Sequence, residues 1–338
     1  MRVAVTGGSG FIGAHVVDKL LDAGHDVLSL DLDARMPDPR ASYRVLDVLD
    51  LGAVTDALVD REIVYHIAGM ANVDFAFKDP AKTVRLNVEG TGNILEAARI
   101  HQLKRVVFAS TVWVYGAVDD PAPAADGSEP ALTEDAQVNL AKAGHIYTST
   151  KVAAELLLHS YRETYGVPFT ILRYGIPYGP GMRDELVLAR FVKKALDGEA
   201  LTVAGDGQQF RNYVFVRDLA EAHVLALGET AENATIALEG SERVSVLDMA
   251  QRVKDHFPGT RIEHVPARPG DYRGREISNE LAAELLGWRP TTVFRDGVAQ
   301  YVDWYLGNKD VHVPRVTVPP AAQEAAGGEA AVPATSAE

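Results

Sequence analysis

The chain contains no cysteine, which excludes a disulfide framework, a Cys-ligated zinc or iron–sulfur cluster and a thiol nucleophile. Positive charge is scarce. Lys and Arg total 33 against 47 Asp and Glu, a formal net charge of -14, and no long basic stretch suits a nucleic-acid partner. Apolar runs are short; none approaches the ~20 residues of a membrane-spanning helix, and no membrane partner is expected. The start, MRVAVTGG, has neither the charged region nor the apolar stretch of a signal peptide. A soluble cytoplasmic protein is the expectation. His15, His25, His66 and His145 show none of the spacings of a metal-ligating motif, so no metal is expected. Against these absences stand 338 residues, 47% hydrophobic and 24% charged, enough for one large or two modest folded domains.

Short apolar runs rich in β-branched residues occur at 2–5, 26–30, 43–46, 63–67, 105–109 and 169–173. Helical periodicity fills most of the intervals, at 11–23, 54–59, 83–100 and 146–165. Strands that alternate with helices imply a parallel sheet covered on both faces, because each parallel crossover needs a returning segment. The expected fold is therefore α/β, a Rossmann-type doubly wound parallel sheet, followed by a smaller mixed α/β C-terminal substrate domain. The boundaries read as 1–178 for the first domain, to which the chain returns around 213–238, with 179–212 and 239–315 forming the second. Short strands are expected at 201–203, 213–216, 234–238 and 262–265, and helices at 186–196, 246–257 and 280–286. The acidic, Pro- and Ala-rich stretch 117–140 reads as a surface loop, and 318–338 as a disordered tail with too few large apolar groups to order it.

Gly7, Gly10 and Gly13 stand at the turn from the first strand to the first helix. Glycines there let the backbone approach a pyrophosphate over the helix N-terminus, where free N–H groups and the dipole favour anions. Asp31 ends the second strand, where a carboxylate accepts hydrogen bonds from both adenosine ribose hydroxyls and repels a 2′-phosphate. The pattern favours NAD over NADP, with Arg35 and Arg40 near enough in sequence to reverse the preference. Asp31 and Asp47 read alternatively as turn or helix caps. Tyr147 has a Lys four residues on, Lys151. On a helix the two share a face, so the Lys151 ammonium stabilises a phenolate, and a tyrosine base working near neutrality needs its pKa of about 10 lowered.

With these pieces stand LDV at Leu46, HIAG at His66, NVEGT at Asn87, FASTVWVYG at Phe108, RYGIPYGPG at Arg173, GDGQQFRNYVFVRD at Gly205, RPGD at Arg268 and LLGWRP at Leu285. In this order they resemble the extended short-chain dehydrogenase/reductase superfamily, specifically its nucleotide-sugar epimerase and dehydratase group, typified by UDP-glucose 4-epimerase. The resemblance implies that Phe11 and Ile12 lie against the pyrophosphate, Asp47 and Val48 against adenine, and Ile67, Ala68 and Gly69 along the ribose and nicotinamide. It also implies that Asn87 positions the strand ends beside the cofactor, with Tyr174 on the same side. Thr111 is implied to hydrogen-bond the reacting hydroxyl, Tyr147 to be the acid/base and Lys151 to hold the nicotinamide ribose. Arg211 and Arg268 match arginines that grip the diphosphate of a nucleotide sugar. The helices 83–100 and 146–165 imply a homodimer through a four-helix bundle.

The chain departs from the group at three places. Thr111 is followed by Val112 and Trp113 where the 4,6-dehydratases carry Asp-Glu, and neither residue transfers a proton. Trp113 reads as core packing or as a substrate-facing wall. Gly175 and Ile176 replace an aromatic and the Asn that touches substrate phosphate, and Ile146 replaces the usual Pro before the tyrosine. The implied activity is NAD-dependent C4 epimerisation of a nucleoside-diphosphate sugar through a 4-keto intermediate. An NAD(P)H-dependent ketoreductase of a keto sugar or other carbonyl is the alternative, ahead of a dehydratase or a non-catalytic NAD sensor.

Overall fold

A computed structural model describes residues 1–33, 35, 38–118, 130–139, 142, 144–267 and 274–308. Arg268, half of the 117–140 loop and the 318–338 tail lie outside the described residues. The strands are β1 (Arg2–Thr6), β2 (Asp26–Asp31), β3 (Ser42–Val45), β4 (Ile63–His66), β5 (Arg105–Thr111), β6 (Phe169–Tyr174), β7 (Ile176–Tyr178), β8 (Leu201–Ala204), β9 (Phe210–Phe215), β10 (Thr235–Leu238), β11 (Arg243–Ser245) and β12 (Ile262–Val265). The helices are α1 (Phe11–Asp22), α2 (Leu51–Leu58), α3 (Val73–Lys78), α4 (Pro80–Val84), α5 (Gly90–His101), α6 (Ile146–Tyr165), α7 (Val187–Leu196), α8 (Val216–Leu225), α9 (Val246–His256), α10 (Glu280–Leu286) and α11 (Phe294–Asn308).

Seven strands form one sheet in the order β10-β6-β5-β4-β1-β2-β3, and every neighbouring pair is parallel. This is the doubly wound arrangement expected. Strands β4, β5 and β6 are buried along their whole length, because helices cover both faces. One face packs Val16, Val17 and Leu20 of α1 with Leu219 and Ala222 of α8. The other packs Val54 and Leu58 of α2, Ile94 and Leu95 of α5, and Ala154 and Leu158 of α6. All seven strands run their carboxyl ends to one edge, where crevices for ligands open in sheets of this type.

The smaller region holds a three-stranded sheet, β11-β9-β7, and the pair β12-β8, with α7, α9 and α11 packed around Tyr178, Phe191, Met249 and Tyr301. The structure corrects several expected bounds. Residues 213–215 pair with β7, as 210–212 do with β11, and not with the large sheet, and Val216 opens α8 instead of ending a strand. The chain rejoins the large sheet through α8 and β10. Residues 280–288, expected in the smaller domain, return to the large sheet too: Ala282, Leu286 and Trp288 cover its core, and Trp288 Nε1 donates to Asp218 O at 2.9 Å. The edge strand β10 needs this apolar cover. The single helix expected at 83–100 is α4 and α5 joined by a π-turn, Arg85–Glu89.

Candidate functional site

Gly7 ends the first turn with φ +73°, and a Cβ there would stand 2.8 Å from Ala68 N. A Cβ at Gly13 would overlap the Gly7 carbonyl, and one at Gly10 would stand 3.1 Å from it. The three glycines therefore fold the loop onto itself and onto the 67–69 segment, leaving its rim without side chains. Gly10 is the N-cap of α1 and makes no side-chain cap hydrogen bond, so the first N–H groups of the helix face an open cradle that suits a phosphate. Phe11 and Ile12 form its first turn. Phe11 meets His15 edge-on, and His15 Nε2 lies 2.9 Å from Pro180 O, which ties this end of α1 to the loop after β7.

Asp31 caps a turn and more. Its two carboxylate oxygens accept from Ser9 N at 3.0 Å and Asp33 N at 3.2 Å, and each keeps a lone pair for a ribose hydroxyl. Arg35 is bound to Asp33 at 2.6 Å, and Arg40 is bound by Asp18, Asp22 and Asp38, each at 2.7 Å. Both guanidinium groups are engaged by carboxylates, so neither is positioned as a 2′-phosphate clamp. Asp47 is exposed and accepts from Leu49 N, whereas the cap of α2 is Asp50. Val48 is buried and its carbonyl accepts from Asn93 Nδ2 at 2.9 Å.

Ile67 and Ala68 leave the end of β4 with both amides donating to Thr6 O, which sets the segment over the strand ends. Asn87 sits in the π-turn, 2% exposed. Its Oδ1 accepts from Met70 N at 2.7 Å, and its Nδ2 donates to Met70 O and to Thr150 Oγ1, each at 3.0 Å. A Cβ at Gly69 would stand 2.9 Å from Asn87 Oδ1 and 3.8 Å from Lys151 Nζ. Asn87 thus joins the 69–70 segment to α6, and the glycine leaves a path to the lysine.

Thr111 ends β5, where its hydroxyl acts on the Tyr147 phenol to lower that group's pKa. Tyr147, Lys151 and Glu155 follow one face of α6. Glu155 is anchored by Arg173, with Nη2 to Oε2 at 2.7 Å and Nε to Oε1 at 3.1 Å. That buried ion pair fixes α6 against β6. Lys151 Nζ donates to Ala109 O at 2.8 Å and lies 4.7 Å from the Phe108 ring centre. Burial pushes its pKa down to about 8, against the Glu155 charge. Burial pushes Tyr147 up to about 12, opposed by the Thr111 hydrogen bond and the Arg183 guanidinium. Lys151 is not among the groups that lower Tyr147; its ammonium is turned to the Ala109 carbonyl.

Tyr174 is buried beside Thr111 across the sheet, with its hydroxyl 2.6 Å from His223 Nε2. Trp113 meets His145 edge-on, and His145, the N-cap of α6, stacks near Tyr147, so Trp113 walls the site. Arg211 lies on β9, opposite Val244. Sequence reasoning missed Arg183, which follows the RYGIPYGPG motif by two residues and acts on Tyr147 only through tertiary packing.

The arrangement is a dinucleotide cradle running to a Thr–Tyr–Lys set at the sheet edge. Residues 3–237 match the model of the NAD dependent epimerase/dehydratase family. A probable UDP-glucuronate 4-epimerase of Rhizobium meliloti is 30% identical, aligned over 91% of this chain and 98% of its own length. A dTDP-glucose 4,6-dehydratase of Streptomyces niveus is 31% identical over 91% and 94%. The crystal structure of the Thermus thermophilus UDP-glucose 4-epimerase complex with NAD has a TM-score of 0.76 and 32% identity, covering 91% of this chain and 99% of that one.

Proposed function

Because the chain belongs to the NAD-dependent epimerase/dehydratase family, with NAD as its cofactor, we propose that it epimerises a nucleoside-diphosphate sugar at C4. When bound, NAD supplies the hydride acceptor for the sugar carbon and the hydride that returns to it. The chain's own residues handle the proton. Tyr147 takes it from the C4 hydroxyl, Thr111 shares a hydrogen bond with that oxygen, and the Lys151 ammonium offsets the phenolate that desolvation disfavours. The resulting 4-keto sugar turns its other face to the same pair and recovers the proton. Arg211 and Arg268 are assigned to the diphosphate, for which paired guanidinium donors are suited.

The observation that carries this reading over elimination of water is the pair after Thr111. Val112 packs with Val114, Tyr115 and Val118 and Trp113 lines the wall, so no acid stands where dehydratases carry Asp-Glu. Incubation with UDP-glucose, UDP-glucuronate or UDP-N-acetylglucosamine, followed by proton NMR, is expected to show one new anomeric signal rising to a fixed ratio. Tyr147→Phe is expected to lower that rate at least ~100-fold, and full activity in this variant overturns the mechanism.

The substrate region is proposed to be residues 179–212 and 239–279 with the 294–308 helix. A homodimer is proposed through the α3–α6 face, where Phe77 (84% exposed) and Leu156 (57%) leave apolar area uncovered. Among the described residues no helix is long and apolar enough to cross a membrane, and a cytoplasmic location remains part of the proposal.

A further inference from the structure

We propose that Glu239 is a sugar-recognising residue, its carboxyl group hydrogen-bonding a hydroxyl of the hexose ring in space left by the missing side chain of Gly175. This rests on the nucleotide-sugar reading above. Glu239 follows Leu238, the last residue of β10. Leu238, Tyr174 and Thr111 stand level across β10, β6 and β5, and two inter-strand steps of about 4.8 Å place Leu238 roughly 10 Å from Thr111. The carboxyl also lies within the field of the Arg211 guanidinium. The carboxyl is thus near both the strand ends that carry Thr111 and the arginine assigned to the diphosphate.

The side chain is placed there by its surroundings. Asn279 Oδ1 accepts from Glu239 N at 2.8 Å and Asn279 Nδ2 donates to Glu239 O at 2.9 Å, which fixes the backbone. The residue is 5% exposed, yet Oε2 has no hydrogen-bond partner among the described residues. Asn212 Oδ1 is likewise buried and unpartnered, and Asn212 Nδ2 lies 3.5 Å from Gly240 O. Two unsatisfied polar atoms around one glycine are costly in a folded protein and are explained by a ligand that satisfies them. Burial pushes the carboxyl up to about 8, so at neutral pH it is an acid that donates and accepts, matching a hydroxyl on both counts. Space enforces the arrangement: a Cβ at position 175 would stand 2.7 Å from Oε2 and 3.0 Å from Cδ of Glu239. Any side chain at 175 displaces this carboxyl.

The test is calorimetric titration of the NAD-loaded protein with UDP, UDP-glucose and UDP-N-acetylglucosamine. Glu239→Leu is expected to weaken the better-bound hexose about 3- to 10-fold, the range of one lost hydrogen bond, while UDP binds unchanged. Glu239→Gln is expected to retain hexose binding within about twofold, and Gly175→Ala to reproduce the loss by moving the carboxyl without removing it. Unaltered hexose binding in Glu239→Leu, an equal loss for UDP and UDP-hexose, or wild-type protein that binds the hexoses no tighter than UDP each overturns the assignment. Turnover is read separately by NMR. Sugar discrimination without turnover supports Glu239 and counts against the epimerase reading.

Discussion

Lys151 shows how far a residue's chemistry depends on its surroundings. The Tyr147–Lys151 spacing is visible in the sequence because four residues make one helical turn. What the spacing does not show is that Nζ sits over Phe108 and is held by Ala109 O. With a pKa of about 8 in the folded protein against about 10.4 unfolded, the unfolded chain binds more protons in between. The burial penalty is therefore present below pH 8, and the lysine's contribution turns more favourable as pH rises towards 10.4. Lys151→Met is expected to lower kcat by two orders of magnitude or more, at about the scale of a lost catalytic group. Its melting temperature at pH 7, without cofactor, is expected to equal or exceed that of the unaltered protein. Between pH 8 and 10 the variant is expected to lack the relative gain that the lysine brings. Calorimetric melts across this range check both expectations. Arg183 and Glu239 were not legible in the same way: neither belongs to a local pattern, and each matters only through a partner distant in the chain.

At the scale of the element, the π-turn Arg85–Glu89 is the part sequence periodicity cannot reveal. A single wide turn changes the phase of a long helix by one residue, which apolar spacing over 83–100 absorbs without a visible break. Such turns recur at functional sites because they aim one side chain inward, here Asn87. That side chain makes three hydrogen bonds, two to Met70 and one to Thr150. Asn87→Ala is expected to destabilise the protein by about 2–4 kcal/mol, counting 0.5–1.5 per bond. It is also expected to weaken NAD retention, measured as the fraction of dinucleotide surviving gel filtration. The strands β1 to β6 were legible because each is a short apolar run closed by a turn residue. Helix α8 was not, because Tyr213 to Val216 continues as an apolar run across the boundary between β9 and the helix. In α11, Gly297 and Gly307 mask helical character that burial of Phe294, Val298, Tyr301 and Val302 supplies.

At the scale of the whole molecule, one group of uncovered apolar side chains shares a set of packed helices. Phe75, Phe77, Val84 and Leu156 are all exposed, on α3, α4 and α6, which pack together. An exposed apolar patch of this kind marks an interaction surface. Light scattering is expected to give twice the 36.5 kDa chain mass, and Phe77→Asp with Leu156→Asp is expected to give the monomer. If the double variant keeps the dimer, the interface lies elsewhere.

The seventh strand has a further consequence. Strand β10 closes the outer side of β6 but arrives about sixty residues later in the chain, after the whole β8–β9 region has been made. During synthesis, β6 therefore waits with an open row of amides and carbonyls, which is a template for pairing between nascent chains. A chain cut after residue 178 retains the nucleotide cradle and the Thr–Tyr–Lys set yet exposes that edge for good. Such a fragment is expected to aggregate, whereas one cut after residue 308 is expected to stay in solution, as a centrifugation assay of the two would show. The two parts of this fold are thus not separable inheritances: the sheet proposed to hold the dinucleotide is finished by a strand encoded between the two segments proposed to receive the substrate.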